Sequence, residues 1–230
     1  MIGRPRVHHR VVDSTNEQAR QLAAAGAPHG TLVTADEQSA GRGRQGRTWV
    51  APSGSAVLMS LIVRDLGLDT LLPLAAPVAV CDACEAVAPV ECRIKWPNDV
   101  WIDGRKVAGI LVEGRPQEGW AIVGIGLNVS TTEFPEELRE TATSLDLASG
   151  ERLDRNEVLR ALLKALDQRL GATASEIVGA WRERDALKGE RVRWGAGQGT
   201  AVGVSENGAL IVDADGERIE LEAGEVHLQR

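Results

Sequence analysis

The stretch GRGRQGRTW at residues 41–49 sets three glycines and three arginines within seven positions. Alternating glycines let backbone N–H groups approach a ligand, and guanidinium groups make charge-assisted, often bidentate, bonds to phosphate or carboxylate. The segment therefore has the composition of an anion clamp. It lacks the Lys-Ser/Thr ending of a Walker loop and the spacing of a dinucleotide fingerprint, and an exposed basic turn or an RNA-binding box is the plainer alternative. A second segment, KWPND at 95–99, offers Lys95 in an extended stretch, a turn-fixing proline and the polar pair Asn98 and Asp99. The chain holds four lysines against twenty-two arginines, and Lys95 and Lys106 fall in or near this segment. Lysine supplies a compact point charge for an anion; a lysine snorkelling from a strand end is the competing account. DSTN at 13–16 offers hydroxyl and amide groups to a small polar ring, or a helix N-cap. In GIGLN, Gly124, Gly126 and Asn128 would stand at a strand end, where Asn128 could pair with a purine edge; a glycine-rich strand packed on a helix fits equally well.

These segments need a scaffold. VHHRVV reads as a strand, followed by a polar turn at residues 13–16 and a helix that stops at Gly26. TLVTADEQ (31–38) is strand-like, so the arginine-glycine segment leaves a strand end. SAVLMSLIV (55–63) is another strand, and residues 69–88 form a helix with its prolines in the first turns. Pro97 keeps Trp96 out of helical geometry, and Asp103-Gly104 is a two-residue hairpin turn between two strands. WAIVGIGLNV adds a further strand. Residues 130–150 are polar and weakly periodic, a candidate mobile loop. A helix over 153–170 is capped by Asp154, and another surrounds Trp181. Beyond Lys188, short strand-like runs broken by Asn207-Gly208 and Asp215-Gly216 read as a small all-β unit. The boundary falls near Leu187, giving units 1–186 and 187–230. The expected class is α+β, a mixed sheet with packed helices.

Composition limits the function. Lys and Arg total 26 against 33 Asp and Glu, a net charge of −7, which argues against a surface built wholly for nucleic acid, so an anion site must be local. Three cysteines and no apolar run behind the N-terminal basic residues indicate neither a disulfide framework nor a signal peptide, and the longest apolar stretch (71–80) is too short to span a bilayer. A cytoplasmic, membrane-free protein is expected. Cys81 and Cys84 read as core, the histidines lack metal-ligand spacing, and DADG at 213–216 reads as a hairpin, so no dedicated metal site is expected. Trp49, Trp96 and Trp101 stand near the motifs, one of them a candidate apolar wall.

Taken in order, DSTN, EQSAGRGRQGRTW, KWPNDV, KVAGILVE and GIGLNV resemble the biotin protein ligase family, from about Val11 through the small β unit. The resemblance implies a central mixed sheet with helices on one side, followed by an SH3-like β-barrel. It implies a two-step reaction: biotin and ATP give biotinyl-5'-AMP and pyrophosphate, then a lysine of a biotin carboxyl carrier domain takes the biotinyl group. Ser14, Thr15 and Gln38 are implied to bond the ureido ring, Asn16 and Trp49 to belong to the same pocket, and Gly41, Arg42, Gly43 and Arg44 to cover it. Arg42, Arg44 and Arg47 would meet biotin's tail and the phosphates. Lys95 would contact the carboxyl oxygen and the α-phosphate. Asn98, Lys106, Gly109, Gly126 and Asn128 are implied to hold ATP or the adenylate, and Asp99 to orient or deprotonate the acceptor amine. Mg²⁺ is expected with ATP, held mainly through its phosphates. The motifs begin by Asp13, leaving no room for a helix-turn-helix reader, so a ligase without operator binding is expected; a homodimer is left open. The rival readings are a lipoate or octanoate ligase or transferase of related architecture, a non-catalytic biotin- or nucleotide-binding module, and an RNA-binding protein, the last disfavoured by charge and by the scarcity of aromatic residues.

Overall fold

The computed structural model describes residues 2–64, 71–195, 197–222 and 224–229. The chain runs β1 (Arg6–Val12), α1 (Thr15–Ala24), β2 (Leu32–Gln38), β3 (Ala56–Arg64), α2 (Leu72–Val87), β4 (Arg93–Lys95), β5 (Asp99–Ile102), β6 (Arg105–Arg115), β7 (Trp120–Asn128), α3 (Leu145–Ser149), α4 (Arg155–Leu170) and α5 (Ala174–Glu183). Five strands follow: β8 (Arg191–Trp194), β9 (Gly197–Val204), β10 (Leu210–Ala214), β11 (Glu217–Leu221) and β12 (His227–Leu228). The first seven strands form one sheet in the order β1-β2-β3-β7-β6-β5-β4. β1 and β2 are parallel and the remaining neighbours antiparallel, so the sheet is mixed as expected.

Side chains alternate across a strand, and here the alternation sorts two cores. Val57, Met59, Leu61 and Val63 of β3, with Ala121, Val123, Ile125 and Leu127 of β7, join the large core that contains α2, α4 and α5. Ile62 and Ile122 point the other way, to a small cluster with Ala19 and Ala23 of α1. Helices thus cover both faces of the sheet, not one. The short α1 buries too little apolar surface to announce its face in the sequence.

The helix limits follow local chemistry. Asp154 caps α4 by accepting from the backbone N–H of Asn156 and Glu157. Thr173 and Glu176 form a reciprocal capping box on α5. α1 ends just before Gly26, whose φ of +89° breaks the helix. In α2, Pro73 sits in the first turn, but Pro77 lies a turn deeper, buried against the core; residues 69 and 70 of the expected helix lie outside the described residues. The turn Asp103-Gly104 takes φ of +49° and +73°, the left-handed pair that a two-residue hairpin requires.

Residues 130–150 depart from expectation. Lys106 N donates to Thr141 O and Thr143 N donates to Lys106 O, which docks this segment on β6. Thr131, Thr143, Ser144 and Leu145 are buried, and α3 follows. The stretch is polar because backbone hydrogen bonds, not apolar side chains, seat it.

The C-terminal strands form an antiparallel sheet in the order β11-β10-β9-β8-β12. Among the described residues no ladder joins β11 to β12, so hydrogen bonding leaves the sheet open where an SH3-like barrel was expected. This sheet is tied to the first unit: Trp96 Nε1 donates to Gly208 O at 3.0 Å and Arg182 of α5 donates to Val204 O at 2.7 Å, while Ala186 N, in the segment that leads into it, donates to Ile94 O at 2.9 Å. No described helix is long and apolar enough to cross a membrane.

Candidate active site

The face of the sheet that carries α1 is nearly bare beside that helix. Gly126 of β7 pairs with Gly109 of β6 and with Leu58 of β3, while Gly124 pairs with Leu111 and Ser60. Each glycine has a specific occupant. A Cβ on Gly124 would overlap the amide of Asn16, 2.7 Å from its Cγ, and one on Gly126 would fall within the Trp49 indole, 2.8 Å from Cδ2. A Cβ on Gly109 would stand 3.0 Å from the same ring. The packing reading of the GIGLN strand holds at Gly124, which receives α1 through Asn16, and Gly126 receives Trp49, the candidate wall. The Trp49 indole N–H is buried without a partner among the described residues.

The N-terminus of α1 meets the end of β2. Ser14 occupies the N-cap position without a side-chain cap bond. Instead Gln38 Oε1 accepts from Thr15 N at 2.7 Å and lies 3.1 Å from Thr15 Oγ1. Ser60 Oγ donates to Asn16 Oδ1 at 2.6 Å and sits 2.8 Å from Thr15 Oγ1. Asn16 Nδ2 donates to Leu111 O at 3.3 Å and to Glu113 Oε2 at 2.7 Å. Ser14, Thr15, Asn16 and Ser60 are all buried.

Residues 41–49 close on themselves directly after β2. Trp49 N donates to Gly41 O, Gly43 N donates to Arg47 O, and Arg42 pairs with Thr48 as an antiparallel bridge. Gln45 and Gly46 take positive φ to complete the turn. Only glycine fits at Gly41, where a Cβ would overlap Trp49 O and stand 2.9 Å from Gln38 Nε2. The three arginines go separate ways. Arg42 Nη2 contacts both oxygens of Glu113 at 3.1 Å and Glu17 at 3.8 Å. Arg44 donates to Gly224 O at 3.5 Å, and Arg47 pairs with Glu225.

KWPND turns from β4 into β5. Lys95 pairs with Asp99 in register, and its Nζ lies 5.3 Å from the Trp101 ring centroid. Lys106 Nζ is 2.7 Å from Asp99 Oδ1 and 5.6 Å from the Trp49 ring centroid. Asn98 Nδ2 donates to Ile110 O and Asn128 Nδ2 donates to Thr143 O, so both amides are engaged with backbone. Among the described residues Arg42, Arg47 and Lys106 each have a carboxylate partner, whereas Lys95 has none. Burial pushes the Lys95 ammonium below the usual lysine range, with Asp99 opposing the shift and Lys106 adding to it.

Part of the predicted set thus falls into one constellation, running from Gln38 through Thr15, Asn16 and Arg42 and from Trp49 through Lys106 and Asp99 to Lys95, whereas Arg44 and Arg47 turn to residues 224 and 225 and the Asn98 and Asn128 amides to backbone carbonyls. Sequence reading missed Ser60, Glu113 and Glu225. Glu113 stood inside the quoted KVAGILVE motif; Ser60 and Glu225 carried no local signal.

A glycine-lined sheet face, a glycine-arginine loop and a half-buried lysine define a ligand-binding α+β enzyme domain. Residues 8–130 match the Biotin/lipoate A/B protein ligase family, and the chain belongs to that family. It is 36% identical to the biotin–(acetyl-CoA-carboxylase) ligase of Mycobacterium tuberculosis, covering 94% of this chain and 86% of that protein. It is 38% identical to the bifunctional ligase/repressor BirA of Bacillus spizizenii, covering 93% of this chain and 70% of that one. Its fold superimposes on the biotin protein ligase from Aquifex aeolicus in complex with biotin and ATP with a TM-score of 0.87, at 33% identity and 99% coverage of both chains.

Proposed function

We propose that this chain is a biotin protein ligase that makes biotinyl-5'-AMP from biotin and ATP and transfers the biotinyl group to a lysine of a biotin carboxyl carrier domain. The observation that carries the reading is Lys95, a partly buried cation without a carboxylate partner among the described residues, whose charge an incoming anion would stabilise. In the first step a biotin carboxylate oxygen attacks the α-phosphorus, the bond to the β-phosphate breaks, and pyrophosphate leaves. Charge accumulates at phosphorus, where positioned cations lower the barrier most. Lys95 contacts the carboxyl oxygen and α-phosphate, Arg42 reaches the ligand with the donors its Glu113 contact leaves unused, and Arg44 and Arg47 turn from their protein partners to the ligand's tail and phosphates. In the second step the acceptor amine attacks the acyl carbon, AMP leaves, and Asp99 orients the amine or takes its proton.

Ser14, Thr15 and Gln38 bind the ureido ring, covered by the backbone of residues 41–44, and Trp49 forms the apolar wall. Gly109 and Gly126 let its ring lie against the sheet, and Asn98, Lys106 and Asn128 hold the nucleotide side. Among the described residues no cluster of three metal-ligating side chains occurs, so Mg²⁺ would be held through the ATP phosphates, adding charge neutralisation there. Residues 1–186 supply this chemistry, and 187–230 form the appended β unit. The reading includes no sequence-specific DNA binding, which a gel shift at physiological salt reads out.

The test is intact mass spectrometry of a carrier domain incubated with this protein, biotin, ATP and Mg²⁺, with lipoate and octanoate run alongside. One ATP-dependent biotinyl increment, absent with the other acids, is expected. Transfer of lipoate or octanoate instead would favour the rival ligase, and no acyl product at all would return the chain to a binding module.

A further inference from the structure

We propose that Glu113 is a positioning residue of this site: its carboxylate joins Asn16 to Arg42, so that the network at the start of α1 fixes the loop arginine where the ligand's carboxylate and phosphate arrive. The inference rests on the ligase reading and goes beyond it by giving Glu113 a role and by moving Asn16 from ligand contact to support.

Asn16 is 4% exposed and both donors of its amide are engaged. Oδ1 accepts from Ser60, and Nδ2 donates to Leu111 O and Glu113 Oε2. No N–H is left to donate to a ligand, and the overlap a Cβ on Gly124 would create shows how closely the amide is seated. Glu113 is therefore anchored at one oxygen by a group that does not swing. The same carboxylate receives Arg42, and it does so through Nη2 alone, at 3.1 Å to each oxygen. Nε and Nη1 of Arg42 make no hydrogen bond to the described residues. The guanidinium is thus tethered at one nitrogen while its remaining donors stay available, the geometry needed to bind an anion without surrendering the tether. Oε2 accepts from both neighbours and Oε1 accepts from Arg42 as well; a glutamine that kept its oxygen at the Oε2 position would turn its own N–H₂ toward the Arg42 donor.

The test compares the purified wild type with Glu113→Gln, Arg42→Ala and the double variant. ATP–pyrophosphate exchange gives biotin KM and kcat, and rapid filtration gives the escape rate of biotinyl-AMP. Glu113→Gln is expected to raise both KM and escape roughly fivefold or more with kcat little changed. In the Arg42→Ala background it is expected to add much less, because the two residues act through one contact. Unchanged KM and escape in a folded Glu113→Gln protein, or full additivity in the double variant, would overturn the proposal. Thermal melts establish folding; if Glu113→Gln unfolds, Glu113→Asp, with two acceptors on a shorter arm, is held to the same two criteria. Absence of exchange in the wild type would instead defeat the ligase reading itself, a result distinguishable from a silent Glu113.

Discussion

Lys106 Nζ lies 2.7 Å from Asp99 Oδ1 across the β5–β6 hairpin, so the residue proposed for the phosphates and the residue proposed for the amine are each other's ion-pair partners. A shift of Lys106 toward anionic oxygens on adenylate formation would free Asp99 for the acceptor, and the roles proposed for the two residues can be separated by half-reaction.

Asp99→Asn is accordingly expected to leave biotinyl-AMP formation within a few-fold and to slow transfer by on the order of 10². Quench-flow of enzyme preloaded with adenylate against carrier measures the second step separately. Equal losses in both steps would remove Asp99 from the transfer chemistry.

Gly124→Ala places a methyl where the Asn16 amide lies. Overpacking of this kind costs about 1–3 kcal/mol, and displacement of Asn16 disturbs Ser60, Thr15 and Glu113 together. A lowered melting temperature with a raised biotin KM is expected. A variant with unchanged biotin KM would show that the Asn16 network does not govern ligand binding.

Lys95 gives a prediction in pH. Burial lowers its pKa below the ordinary 10.5. Between the folded value and 10.5 the unfolded chain binds more protons, so stability rises with pH through that window, and the penalty is fully present below it. Lys95→Met is therefore expected to stabilise the protein modestly at neutral pH, and the gain shrinks as pH approaches 10.5. The same variant loses adenylate formation by on the order of 10² or more. In the wild type, kcat/KM for biotin, which reports the free enzyme, falls on the alkaline side below the usual lysine range. Melts of both proteins across alkaline pH, paired with the exchange profile, check the signs.

Arg47 is tied to Glu225 of the C-terminal segment. Glu225→Ala is expected to raise tryptic cleavage after Arg47 severalfold, and biotinyl-AMP to return it to the wild-type rate. Identical cleavage in the two apo proteins would show that this ion pair does not hold the loop.

The sequence displayed the motifs that are contiguous: GRGRQGR, KWPND and GIGLN carry their chemistry within a few residues, and the hairpin turn at Asp103-Gly104 follows from local backbone preference. What escaped it depends on partners far along the chain. Glu113 acquires meaning only through Asn16 and Arg42, Ser60 through α1, and Glu225 through Arg47. The docking of residues 130–150 escaped for another reason, since it is made by the backbone of Lys106 and Thr141–Thr143, which no side-chain pattern reports. The engagement of Asn98 and Asn128 with carbonyl groups was hidden in the same way.

The bond from Trp96 Nε1 to Gly208 O spans 112 residues of chain. During synthesis, the strand that ends at Lys95 emerges long before its acceptor, and until Gly208 leaves the ribosome the indole N–H has no carbonyl to meet. A buried donor left alone costs about 1–3 kcal/mol, so a nascent chain halted short of Gly208 would hold Trp96 loosely. The register of Lys95 against Asp99 is local to the β4–β5 pair; the bond that holds the neighbouring indole is supplied by the growing end of the polypeptide.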